Sequence, residues 1–499
     1  MGVVVAIDAG TTGVRTMAIG PDGEVVAAGY REFPQYFPRP GWVEHDPEEI
    51  WDAVVATFAE VLAAVDQPVA AIGITNQRET VVLWDRRDGT PLHRAVVWQD
   101  RRSADICEKL AAAGHLGRVR ARTGLVLDPY FSATKLAWLF GEGAVEPTPD
   151  TAFGTVDSWI IWRLTGGRTH VTDATNAART LLFDIGTLAW DGELADLFGV
   201  PAGVLPEVGP SSGRLATTAP GVIPGLAAGV PISGVAGDQQ AALFGQACFS
   251  PGMTKNTYGT GSFVLMNVGP ELPPPVDGLL STVAWSLGEV GPATTTYALE
   301  GAIFVTGAAV QWLRDGLGLI AAAAEIGPLA ETVPDSGGCF FVPALTGLGS
   351  PWWDPHARGT VVGLTRGVGR PQLARAAVEA MAFQTADVVR SMTAAAGRPL
   401  SELRVDGGAS AMDLLLHLQA DLLGVPVRRT CSSETTAIGA AFLAGLAEGV
   451  WGSLDEIASV WRADTAVEPA STEQPVRAAF ADWHRAVERS LAWDPPEAD

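Results

Sequence analysis

The chain opens on an unbroken apolar run, Val3-Val4-Val5-Ala6-Ile7, then the polar turn Gly10-Thr11-Thr12-Gly13, a second run from Val14 to Ile19, the turn Pro21-Asp22-Gly23 and a third run from Val25 to Ala28. Short apolar runs punctuated by glycine, proline and aspartate predict a three-strand meander. From Pro47 to Leu62 the apolar positions recur at helical spacing, with Asp46 as N-cap and Pro47 in the first turn, which predicts a helix. Ala70–Thr75 and Val81–Trp84 return to a strand pattern. Ser211–Pro231 is dense in Gly, Pro, Ser and Thr and reads as loop before the apolar run Ile232–Gly237.

The second half repeats this order without obvious residue identity. A hairpin begins near Met253, spans Thr254 to Asn267 and turns at Tyr258-Gly259-Thr260-Gly261-Ser262. Strand-like Tyr297-Ala298-Leu299, a helix from about Phe304 to Leu317, a helix from Pro371 to about Ala395 and a strand–loop–helix at Leu403–Ser410 follow. These patterns place a domain boundary close to residue 250 and predict domains 1–250 and 251–499. Two segments of small residues, Ala241–Gly245 and Ala437–Gly445, have helical spacing that suits either ordinary close packing or a hinge between domains.

Composition narrows the class. With 499 residues and 47% hydrophobic content the chain can build two or three well-formed cores. A formal net charge of -23 argues against a nucleic-acid binder and against attachment to anionic lipid. Lysine occurs only at 109, 135 and 255, so arginine carries the positive charge. Cys107, Cys248, Cys339 and Cys431 form neither a Cys-x-x-Cys pair nor a cluster with histidine, so no disulfide framework or zinc site is predicted. No basic leader precedes Val3 and no apolar stretch has spanning length, which together predict a cytoplasmic protein without membrane insertion.

The candidate chemistry lies in the two threonine-glycine turns. Backbone N–H groups in short glycine-rich loops can approach phosphate oxygens, threonine hydroxyls add donors, and Asp8 offers a place for magnesium. One such loop in each half suggests a nucleotide clamped between two domains. Taken singly, Gly-Thr-Thr-Gly is a common turn, Asp8 can cap a turn, and Arg78-Glu79 can be a solvated ion pair. Arg78 and Glu79 directly follow a buried-type strand, however, where ligand groups of α/β folds gather.

Six segments in order carry a resemblance: Asp8-Ala9-Gly10-Thr11-Thr12, Pro40–Asp46, Gly73–Thr80, Val97–Arg102, Asp128–Lys135 and Gly237–Gly245. They resemble the FGGY carbohydrate kinases from the first strand to roughly residue 450. The resemblance implies an α/β fold of two actin-like (ribonuclease-H-like) ATPase domains with an interdomain cleft. It implies ATP and Mg2+ as cofactors and glycerol as the polyol that accepts the phosphoryl group. Arg78, Glu79, Tyr130, Asp238 and Gln239 would hold the hydroxyls, with Trp98 and Phe263 against the carbon edge. Asp238 would be the catalytic base, and with Asp8 would place the metal. Thr11, Thr12, Gly13 and Arg15 in one half and Thr260 and Gly261 in the other would bind phosphate. Gly307, Gln311, Gly408 and Met412 would line the adenine end, with Met412 standing where the family usually carries Asn.

The resemblance also implies a homo-oligomer, dimer or tetramer. Ala9 replaces a Gln common in the family. The segment Leu226-Ala227-Ala228-Gly229-Val230-Pro231 lacks the arginine of the Gly-Gly-x-x-Arg motif by which a bacterial subgroup binds fructose bisphosphate, which predicts insensitivity to that inhibitor. The alternatives are a kinase for erythritol, dihydroxyacetone or xylulose, and a non-catalytic actin-like ATP-binding protein. A dinucleotide-dependent oxidoreductase is disfavoured because the first loop lacks Gly-x-Gly-x-x-Gly spacing.

Overall fold

A computed structural model describes residues 2–142, 144–470 and 475–494. The opening meander forms as the sequence predicts: β1 (Val3–Ala9), β2 (Gly13–Ile19) and β3 (Val25–Glu32) pair antiparallel. On the other side of β1, β4 (Val69–Asn76) and then β6 (Pro231–Gly237) add in parallel. β5 (Ser212–Thr217) closes the edge, giving the six-stranded order β5-β6-β4-β1-β2-β3. The segment read as loop thus contains an edge strand. It has one neighbour and is half-exposed, so it needs no apolar run to hold it.

The second sheet repeats the plan. β7 (Met253–Tyr258), β8 (Ser262–Gly269) and β10 (Thr295–Ile303) form the meander. β11 (Glu402–Asp406) and β12 (Val427–Thr430) add in parallel beside β7. With β9 (Leu280–Ser286) and β13 (Ala463–Val467) at the edges the order is β9-β10-β8-β7-β11-β12-β13.

Alternation along β1 explains why that run is uniformly apolar. Val3, Val5 and Ile7 pack with Ile50, Val54 and Phe58 of α1 (Pro47–Ala64), whose N-cap Asp46 accepts from Glu48 N–H at 2.9 Å. Val4 and Ala6 face the opposite way, into a cluster shared with Ala241 and Leu243 of α2 (Asp238–Gly245) and with Ala437, Ala440 and Ala441 of α5 (Thr435–Ala447). A sheet covered on both faces reads as a continuous hydrophobic run.

The two small-residue segments are therefore the crossing helices α2 and α5 at the seam between the lobes. A Cβ on Gly439 would lie 1.8 Å from Ala241 O, and one on Gly245 would lie 2.0 Å from Thr435 O. α5 also lies directly on the first sheet, where a Cβ on Gly73 would meet Ala440 O at 2.2 Å. Of the two other expected helices, α3 is shorter than its pattern, confined to Gly307–Asp315, whereas α4 runs Arg370–Ala396 as the pattern places it. All four cysteines are free, and no helix among the described residues is long and apolar enough to cross a membrane.

Candidate active site

Strand register brings the first-lobe candidates together. Ala9 of β1, Asn76 of β4 and Gly237 of β6 are aligned across the three parallel strands. The residues that follow, Gly10-Thr11-Thr12, Gln77-Arg78-Glu79 and Asp238-Gln239, therefore emerge from adjacent carboxyl ends. Gln77 ties two of these ends by donating from Nε2 to Gly10 O at 3.0 Å.

Arg78 is buried and spreads its guanidinium over the site. Nε meets Asp238 Oδ1 at 3.1 Å, Nη1 and Nη2 meet the two oxygens of Glu300 at 2.6 and 3.2 Å, and Nη2 reaches Tyr130 OH at 3.4 Å. Arg179, also buried, donates to Glu79 Oε1 at 2.6 Å and to Glu300 Oε1 at 2.9 Å. Burial alone would raise the Glu300 carboxyl, but Arg179 and Arg78 outweigh it and bring it down to about 2. Burial raises Glu79, which the same two arginines oppose. Glu79 sits at φ 63, a left-handed backbone that nonglycine residues rarely adopt, and is held there by Ser132 Oγ donating to its carbonyl at 3.0 Å.

Glu300 comes from β10 of the second sheet and Arg179 from just beyond the short helix Ala174–Ala177, and sequence reading missed both. The available signal was a lone acid in the otherwise uncharged strand Thr295–Ile303. Lys255 of β7, whose Nζ donates to Gln239 Oε1 from the second lobe, was missed too, being one of the three lysines and inside a buried strand.

The aromatic wall is partly as expected. Trp98 and Tyr130 meet edge to face with centroids 5.6 Å apart, and Trp98 Nε1 donates to Thr11 Oγ1 at 2.9 Å, which links the wall to the first loop. Buried Lys135 holds the Tyr130 turn, donating to Pro129 O and Tyr130 O at 2.6 Å each. Phe263, half-buried on β8, has part of its surface against the seam cluster, and among the described residues it makes no ring contact with Trp98 or Tyr130.

The loop glycines act differently from the sequence argument. Gly10 N–H closes its own hairpin on Gly13 O at 3.0 Å, and Gly259 N–H does the same on Gly261 O at 2.8 Å. Thr260 O accepts from Thr306 and Ala308 N–H, and Gly259 O from Gly307 N–H, so the second loop is stitched to the start of α3. Gly261 is required because a Cβ there would lie 2.3 Å from Ile303 O. Gly407, at φ 84, allows the β11 loop carrying Gly408 to press on Tyr258 O, 2.4 Å from where a Cβ would be. Thr12, Thr260, Gln311 and Gly408 are exposed, whereas Met412 is half-buried against Gly327.

Asp8 ends β1 beside Arg15, which pairs with Glu434 at the head of α5. Burial pushes the Asp8 carboxyl up to about 7, Asp238 and Glu434 add repulsion, and Arg15 opposes them. Among the described residues no group of three or more His, Cys, Asp or Glu side chains is arranged to hold a metal ion by itself.

A sheet plan used twice, with Glu300 and Lys255 of the second sheet reaching Arg78 and Gln239 at the strand ends of the first, is the fold of a two-lobed ATPase-type kinase. Residues 3–245 match the N-terminal domain, and residues 254–448 the C-terminal domain, of the FGGY family of carbohydrate kinases, and the chain belongs to that family. It is 54% identical over 497 residues to a glycerol kinase of Dechloromonas aromatica, covering 98% of each chain. It is 51% identical over 502 residues to one of Carboxydothermus hydrogenoformans, covering 99% of each. The crystal structure of Plasmodium falciparum glycerol kinase with ADP superposes with a TM-score of 0.92 at 33% identity, over 98% of both chains. A gluconate kinase from Lactobacillus acidophilus shares the fold, with a TM-score of 0.87 at 24% identity over 98% of this chain and 96% of that one.

Proposed function

We propose that the protein is a glycerol kinase, transferring the γ-phosphoryl group of Mg-ATP to a terminal hydroxyl of glycerol to give sn-glycerol 3-phosphate and ADP. The observation that carries this reading is Arg78, whose Nε holds Asp238 at 3.1 Å while the rest of its guanidinium is fixed by buried Glu300. A carboxylate so oriented, with its side chain 33% exposed, suits a general base for an alcohol. Glycerol offers three hydroxyls and one carbon edge. Arg78, Glu79, Tyr130, Asp238 and Gln239 supply charged and polar partners for the former, and Trp98, with Phe263 behind the seam, walls the latter.

In the reaction Asp238 takes the hydroxyl proton as the oxygen forms its bond to the γ-phosphorus and the bond to the ADP oxygen breaks. Thr11, Thr12, Gly13 and Arg15 hold the phosphates from one lobe and Thr260 and Gly261 from the other, while Gly307, Gln311, Gly408 and Met412 border the base. Asp8 and Asp238 would hold magnesium: two mutually repelling carboxylates with the nucleotide phosphates form a hard oxygen donor set. The ion supplies neutralisation of phosphate charge. The protein works in the cytoplasm as a homo-oligomer.

A coupled assay with glycerol, erythritol, dihydroxyacetone and xylulose at saturating Mg-ATP tests the reading. Glycerol should give the highest kcat/KM, and negligible glycerol turnover beside strong turnover of another acceptor overturns it. Asp238→Asn should abolish turnover while polyol binding, read by calorimetry, survives.

A further inference from the structure

Gln239 follows the base Asp238 on α2, and its amide carbonyl is held from the other lobe. Lys255, fully buried on β7, donates from Nζ to Gln239 Oε1 and to Thr257 Oγ1, the latter at 3.1 Å. An ammonium group has donors only, so the amide atom it meets must be oxygen, and the two faces of the Gln239 amide are thereby told apart. Gln239 Nε2 has no protein acceptor among the described residues, and the residue is half-buried at the strand end that carries Asp238. Lys255 lies 16 residues beyond Gln239, on the strand that follows α2.

We propose that Lys255 is a positioning residue for the acceptor alcohol: by fixing Gln239 Oε1 it turns Nε2 toward the cleft as an obligatory hydrogen-bond donor to one substrate hydroxyl. The proposal rests on the reading that the cleft binds a polyol. A free amide would sample both orientations, and in one of them its carbonyl oxygen would still accept a hydroxyl proton. The fixed amide accepts nothing, so the hydroxyl it meets must be an acceptor there and is left free to donate to a carboxylate such as Glu79 or Asp238. Lys255 thus sets the direction of the hydrogen-bond chain through the substrate and, because β7 belongs to the second lobe, sets it only when the lobes are together.

The test is a double-mutant cycle of Lys255→Met and Gln239→Leu, with KM for the alcohol, KM for ATP and kcat measured separately. It uses whichever alcohol the wild-type enzyme phosphorylates fastest, so a wrong substrate is exposed by the wild-type protein and a wrong role for Lys255 only by the variants. Each single variant should raise the alcohol KM about tenfold, the loss of one oriented hydrogen bond, with ATP KM unchanged. The double variant should be no worse than Gln239→Leu alone. Multiplying effects, or an unchanged alcohol KM in Lys255→Met, overturn the proposal. Should Lys255→Met not fold, Gln239→Glu keeps a partner for the ammonium but removes the donor. It should reproduce the KM of Gln239→Leu, and a wild-type KM overturns the proposal in the same way.

Discussion

Replacing Glu300 by Gln would remove one charge from the centre of the network without changing its volume. Glu300 receives Arg78 at 2.6 and 3.2 Å and Arg179 at 2.9 Å, and its side chain is fully buried. At an effective dielectric of about 20, each of the two short contacts carries roughly 6 kcal/mol of Coulomb energy, most of which offsets the desolvation of the charges. What the substitution forfeits is the pairing and not the desolvation. The amide also turns an N–H toward a guanidinium that can only donate, so a net loss of about 3–5 kcal/mol of stability is expected. Arg78, freed on one side, no longer fixes Asp238, and with Asp238 as the proposed base a displacement of about 1 Å costs on the order of a hundredfold in kcat. Urea unfolding followed by tryptophan fluorescence, with kcat measured at a temperature where the variant stays folded, reads both. Stability within about 1 kcal/mol of wild type together with kcat within about threefold would refute the argument, because a buried carboxylate holding two arginines cannot be silent on both counts.

Three further outcomes follow from the geometry. Gly439→Ala places a Cβ 1.8 Å from Ala241 O, so α2 and α5 must separate; a loss of about 1–3 kcal/mol is expected in thermal or urea unfolding. The hydrogen bond from His484 to Asp387 at 2.6 Å raises the His484 pKa from its ordinary 6.5, against burial. Its stabilisation is complete below about 6.5 and is lost as pH rises through the raised value, so wild type minus His484→Gln stability should shrink between mildly acidic and mildly alkaline pH. Fructose bisphosphate should leave activity unchanged in a titration, since the groove beside residues 226–230 is lined by Ala59, Leu62, Val65, Leu226 and Val230 and offers no guanidinium to a phosphate.

The sequence made the first lobe legible where local chemistry and tertiary role agree. The run Val3–Ile7 is apolar on both faces because α1 covers one and α5 the other, and a pattern reader sees a strand without knowing either cover. Asp46 and Pro47 mark a helix start by capping alone. The edge strand Ser212–Thr217 was hidden because only Ser212 of it is fully buried and its composition is that of a turn. In the site, Arg78 and Asp238 were visible from strand-end position, whereas Glu300 and Arg179 act through pairing across 121 residues, a relation that no window of sequence contains. The glycine loops were found from a phosphate argument, and the structure adds packing reasons the sequence did not show: Gly10 and Gly259 close hairpins, and Gly261 and Gly307 admit neighbouring backbone.

The charges buried beneath the cleft serve direction more than stability. Pairing Arg78, Arg179, Glu79 and Glu300 adds little net stability over a well-packed apolar core of equal volume. Its advantage is directional. Each guanidinium is held on several sides by groups from both lobes, so Arg78 Nε presents one bond to Asp238 and Lys255 presents one to Gln239. A hydrophobic substitute would keep the lobes together but leave those two side chains to solvent. The contacts proposed to orient the acceptor are thus also contacts between the lobes, Glu300 with Arg78 and Lys255 with Gln239. If the lobes part, Asp238 and the Gln239 amide lose their fixed directions together, so under the proposed roles an alcohol bound to the first lobe alone would meet an unassembled site. ATP turnover without acceptor should then be slow for a structural reason: water bound in place of the alcohol lacks the carbon edge proposed to pack on Trp98 and contributes nothing to holding that assembly.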